Sequence, residues 1–173
     1  MPLFHRRESP PARIVALLEP DDRVLSWADV DDGEVVLASR HGLWWPDSTG
    51  PRLIRWQFVD KVVWRDDALT VIEAELRDDL ILVDLPAQTV RVTRPRDLPP
   101  TVRKRVEANV VHSQVYALPG GAGRFVARRI PGRDGLVWWV RLEPGTLDTE
   151  QVRDEARRVI EQLQRQYDSV RAE

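Results

Sequence analysis

Three kinds of side chain in this sequence could do chemistry: histidines, paired aspartates and clustered arginines. The three histidines are His5, His41 and His112. A metal centre needs two or more ligands converging, and no spacing here brings two histidines to one helix face or one turn. Acidic pairs recur at Asp21-Asp22, Asp31-Asp32, Asp66-Asp67 and Asp78-Asp79. Their spacing fits neither a calcium loop nor a carboxylate dyad. Each pair lies at a strand boundary, where Asp bonds its own backbone, so turn chemistry is expected for all four. Gly120-Gly121-Ala122-Gly123 lacks the Lys and Ser/Thr of a phosphate loop, and a strand follows it where a helix would be needed. No nucleophile motif, zinc-protease motif or nucleotide loop is present. The sequence therefore assigns no catalytic residue, no metal ligand and no cofactor. The expectation is a non-enzymatic protein.

The arginines are distributed unevenly. Residues 1–90 carry 10 basic and 17 acidic residues, and residues 91–141 carry 11 basic and 3 acidic. The last 32 residues carry 5 basic and 8 acidic. Either the acidic and basic parts complement each other internally, or the middle segment forms an anion-binding surface. The second reading draws on Arg91, Arg94, Arg96, Arg103, Lys104 and Arg105, then Arg124, Arg128, Arg129 and Arg133. Arginine beside aromatic side chains suits phosphate contact and base stacking. A pI near 6.0 weighs against nucleic acid as the main partner.

Tryptophan is abundant, with seven residues in 173. Trp44-Trp45 and Trp138-Trp139 are adjacent pairs within expected strands. Neighbours on a strand point to opposite faces, so at most one of each pair faces a given core. Leu136, Trp138, Val140 and Leu142 make one apolar face. Trp139 then shares the other face with Val137 and Arg141. That face is covered by the final helix or another subunit, or it is open. An open face would present Trp139, Arg141, Arg128 and Arg124 as a binding surface, with Arg103 and Arg105 on the neighbouring helix.

The elements that must position these residues can be read from turn signals and periodicity. Residues 1–12 are polar and proline-bearing and read as a flexible tail. Short strands then follow at regular spacing: Arg23 to Val30, Glu34 to Arg40, Leu43 to Trp45, Arg52 to Trp56, Leu69 to Leu76, Leu80 to Leu85, and Thr89 to Thr93. Gln57 to Trp64 fits neither period cleanly. Pro99 and Pro100 suit a first helical turn, and Val102, Val106 and Val110 continue a helix over Thr101 to His112. Three more strands are expected at Gln114 to Leu118, Arg124 to Ile130 and Leu136 to Leu142. The stripe Val152, Ala156, Val159, Ile160, Leu163, Tyr167 and Val170 marks a long amphipathic helix, with Asp148 and Gln151 as its capping pair.

Seven strands followed by one helix resemble the pleckstrin-homology superfold. Residues 18–113 are similar to a bacterial PH-like domain. The residues that carry the likeness are Leu18-Glu19-Pro20-Asp21-Asp22-Arg23-Val24-Leu25, His41-Gly42-Leu43, Ile54-Arg55-Trp56, and Val62-Val63-Trp64 before Leu69-Thr70-Val71. The resemblance implies a partly open seven-stranded barrel capped by a helix, in an α+β, mostly β chain. Residues 114–173 would extend that sheet or form a small second lobe. It also implies a module that binds a protein, a peptide or its own copy. Phosphoinositide is not expected, because the first hairpin, Val30-Asp31-Asp32-Gly33-Glu34, would repel phosphate.

With 42% hydrophobic and 31% charged residues, the chain can bury a core and stay in water. No apolar run approaches the ~18 residues of a membrane span, and Ile14 to Leu18 is too short for a signal-peptide core. Zero cysteines exclude disulfides and thiol chemistry. Cytoplasmic residence is the expectation.

Overall fold

The computed structural model describes residues 8–171. A short helix α1 (Ala12–Val15) leads into β1 (Val24–Val30), β2 (Val35–Ser39), β3 (Gly42–Trp45) and β4 (Arg52–Arg55). Then come β5 (Val59–Arg65), β6 (Ala68–Arg77), β7 (Ile81–Asp84) and β8 (Gln88–Arg94). Helix α2 (Leu98–Asn109), β9 (Val110–Leu118), β10 (Gly121–Arg128), β11 (Val137–Leu142) and α3 (Glu150–Arg171) complete the chain. None of the described helices is long and apolar enough to cross a membrane. The chain is α+β and mostly β. Eight strands precede α2, not seven, because the stretch of unclear period, Gln57 to Trp64, is a tight turn at Trp56–Phe58 followed by β5.

Aspartate turns close several of these strands. Asp66 and Asp67 both have positive φ, at 49° and 62°, between the paired residues Arg65 and Ala68. Two left-handed residues make the turn whose twist matches a hairpin. Asp78 and Asp79 repeat this at 49° and 51°. Asp32 and Gly33 share the conformation after β1. Asp21-Asp22 departs from the expected turn role. The Asp22 carboxylate is only 1% exposed and accepts from the Arg23 and His41 amides and the Ser39 hydroxyl.

One continuous sheet runs β4-β3-β2-β1-β8-β6-β7-β11-β10-β9, with β5 on the other edge of β6. The long strand β6 organises it. Its first residues, Ala68–Val71, pair with β8, and its last, Ala74–Arg77, pair with β7. Strand β8 thus continues the line of β7, interrupted at Leu85-Pro86-Ala87, where proline has no amide to give a ladder. From that line the sheet forks. One branch passes through β1. The other passes through β11, joined to β7 by the parallel bridge Val140–Ile81. Residues 114–173 therefore extend the sheet and also carry a core of their own.

Alternation explains how two cores arise on each branch. Trp45 and Trp56 lie with Leu43, Ile54 and Leu69 on the face that α2 covers through Leu98 and Val102. Trp44 points the other way, against Ile14 of α1 and Leu37. On the second branch Trp138, Phe125 and Val140 meet Val152, Ala156, Ile160 and Leu163 of α3. Its opposite face holds Trp139 with Val126, Leu82 and Ala74. Of the expected helical stripe, Val170 falls outside the contact and is exposed. The α3 cap is Thr149, whose hydroxyl accepts from the Val152 amide. Asp148 instead grips Arg153. That guanidinium holds the Asp148 carboxyl below its ordinary range.

Of the expected flexible tail, residues 1–7 lie outside the described residues. Glu8 is tied down by Arg94 and Arg96. Arg96 also stacks its guanidinium 3.5 Å from the centre of the Trp27 ring.

Candidate functional site

The surface expected around Trp139 is not assembled. Trp139 is 7% exposed and stacks on Phe58, with ring centres 5.4 Å apart. The segment leading into β5 covers it, not α3. Arg128 is 4% exposed and points into the same junction. Its guanidinium donates to the Val59 carbonyl at 3.0 Å and to Asp60 at 3.4 Å. Burial pulls Arg128 below its ordinary pKa, against the pull of Asp60. It stays a cation, since arginine starts so high. Arg141 donates to Asp60 at 2.7 Å and also pairs with Asp84. The register of β5 shifts between Val59 and Lys61, and such a bulge re-aims a side chain. Asp60 sits at that shift, where it serves both arginines. This network joins β5, β7, β10 and β11.

Arg124 and Arg103 are exposed but neutralised. Arg124 faces Glu143 at 3.4 Å, and Arg103 faces Glu107 one helical turn away at 3.1 Å. Arg105 differs: no carboxylate among the described residues pairs with it. Together with Arg40, Arg129 and Arg133 it lines a cleft of about 470 Å³ between the end of α2 and the β10–β11 connection. Asn109 fixes one wall, since its buried side-chain amide donates to the Arg129 carbonyl. Sequence reasoning named Arg105, Arg129 and Arg133 as basic residues but could not single out their convergence with Arg40.

A second concavity, about 710 Å³, runs between β5 and α2. Val62, Trp64, Leu69, Pro99, Pro100 and Val106 give it apolar walls. Val63 and Trp64 are the exposed hydrophobics here, at 38% and 37%. Strand β5 pairs only with β6, so its outer edge has no strand partner among the described residues.

The histidines are not as isolated as their spacing suggests. His41, at 5% exposure, has Glu19 2.9 Å from Nδ1 and Asp21 3.2 Å from Nε2. Asp22 lies 3.9 Å from Nδ1. Glu19, Asp21 and His41 hold three potential ligand atoms within 4.8 Å of one another. Both ring nitrogens already face carboxylates, and Glu19 also holds Arg55 at 2.8 Å. The cluster closes on itself: with a carboxylate at each ring nitrogen, His41 ties the 19–22 segment to the β2–β3 hairpin. His112 lies tilted beside Trp138, with ring centres 5.4 Å apart. His5 lies outside the described residues.

No family model, curated protein or solved structure matches the chain.

Proposed function

We propose that this chain is a non-enzymatic interaction module that takes an extended segment of a partner protein along the free edge of β5. The observation that carries this reading is the coincidence of an unpaired strand edge with an apolar groove. Backbone amides and carbonyls of β5 can pair with an added strand, and alternate side chains of that strand fall into the groove against Trp64 and Val106. Arg128 already takes the Val59 carbonyl, so the added strand would run beside Lys61 to Arg65. Lys61 and Arg103 on one side of the charge balance, and Asp60 and Glu107 on the other, leave the rim without a strong sign. An apolar segment therefore suits it better than a highly charged one.

The resemblance to PH-like domains points the same way. The branch β4-β3-β2-β1-β8-β6-β5, with a helix laid over its inner face, supports that family's order of a bent sheet capped by a helix. A cysteine-free chain suits work in the cytoplasm.

The test is selection of peptides from a random display library against the full chain. Selected peptides should be extended and apolar at alternate positions. Trp64→Asp should weaken them about tenfold or more, while β5 amides gain protection from hydrogen exchange in the complex. Peptides that bind Trp64→Asp undiminished would overturn the assignment. A second copy of this chain is the competing occupant, and sedimentation showing dimers that Trp64→Asp dissociates would favour it.

A further inference from the structure

We infer that the four-arginine cleft is a second binding site, specific for a small soluble ligand bearing two or more phosphate groups. The inference rests on which arginines lack partners. Across the described surface arginine is mostly neutralised, as at Arg52, Arg55, Arg94 and Arg153. The four arginines of this cleft have no carboxylate partner among the described residues. Only Arg23, Arg91 and Arg165 share that condition among the described residues, and they are not gathered in a pocket. Four like charges brought to one cleft with a single carboxylate on its lining repel one another, and a folded chain tolerates this where an anion compensates. Asp134 is the one acidic residue on the lining.

The shape narrows the ligand. About 470 Å³ lies within the range of small-molecule sites. Guanidinium forks match the paired oxygens of a phosphate, and four of them exceed what a single phosphate can use. Arg40 is partly committed, donating to the Asp21 carbonyl at 3.3 Å, which holds its head in place. Arg129 is held by its backbone, which bonds Asn109 on both sides: the Arg129 amide donates to the Asn109 carbonyl at 2.9 Å. Ile130, Pro131 and Leu136 supply an apolar flank for the organic part of such a ligand. The cleft and the β5 groove both use α2 but share no lining residue.

Pyrophosphate is the probe. Calorimetric titration of the full chain at low ionic strength should show saturable binding that weakens with salt. Arg129→Gln and Arg133→Gln should each weaken it about tenfold. Arg91→Gln and Arg165→Gln should leave it unchanged, with thermal melting confirming that all four variants fold. Absence of saturable binding would overturn the inference. So would equal losses in the cleft and control variants, which mark diffuse charge. Two further arms decide the source of the phosphate. A single-stranded oligonucleotide that displaces pyrophosphate and depends on the same arginines would overturn the small-ligand assignment. Cleft-dependent pelleting with phosphoinositide vesicles would overturn the soluble one. The expected result is that neither competes.

Discussion

Arg128 and Arg129 are neighbours at the end of β10, and their surroundings could hardly differ more. Arg128 turns inward, buried among Val59, Asp60 and Asn109. Arg129 turns outward into a cleft whose other cations have no acidic partners among the described residues. They occupy the last position of β10 and the first beyond it, just after a register shift against β9. The same side chain therefore holds the two branches of the sheet together at one position and leaves a binding surface at the next. The comparison teaches that arginine density along a sequence says little until partners are assigned. The basic middle segment divides into a neutralised junction and an uncompensated cleft.

The contrast can be broken most directly at Arg128. Arg128→Ala would strip the Val59 carbonyl and the Asn109 side chain of a donor and open a void at the junction. The expected cost is about 3 kcal/mol, read from the urea midpoint. A loss below about 1 kcal/mol would mean the junction is as dispensable as a surface pair. A smaller effect sharpens the comparison. A double-mutant cycle on Asp60→Asn and Arg141→Gln should return a coupling of about 1 kcal/mol, since the two side chains are in contact and half-shielded from water. That coupling should change little with salt, whereas the charge in the cleft should respond strongly. The smallest effect is expected at the neighbour: Arg129→Gln should lie within about 0.5 kcal/mol of the parent chain, on the stabilising side because one of four like charges is removed. Destabilisation comparable to Arg128→Ala would erase the distinction.

Much of the architecture was legible because turns are written locally. The Asp66-Asp67 and Asp78-Asp79 pairs supply left-handed residues, and the strands on either side follow. The α3 stripe was legible because six of its residues, Val152, Ala156, Val159, Ile160, Leu163 and Tyr167, pack on the sheet at helical spacing. Strand β5 was not, since a tight turn and a register shift at its start spoil the alternation that a strand normally shows. The cover over Trp139 was also hidden. Phe58 lies far from it in sequence, and nothing in either segment announces the stacking. The two clusters that chemistry would notice share this property. His41 meets Glu19 and Asp21 through the β1–β3 arrangement, and Arg40 and Arg129 line one cleft from the two branches. Both gatherings are products of tertiary packing, whereas sequence periodicity reports only which face of its own element a residue occupies.

The fork in the sheet also bears on how the chain acquires its structure. Strands β9, β10 and β11 pair with their immediate sequence neighbours, and α3 folds back on them at once. The other branch closes only when β1 finds β8, a junction that the Thr93 hydroxyl seals to the Asp29 carbonyl across 64 residues. Contacts between sequence neighbours form sooner than contacts that close long loops. During synthesis, however, β1 to β8 emerge first. The branch that is slower to close has the earlier start, and the quick C-terminal branch arrives to find β7 already waiting as the strand on which β11 docks.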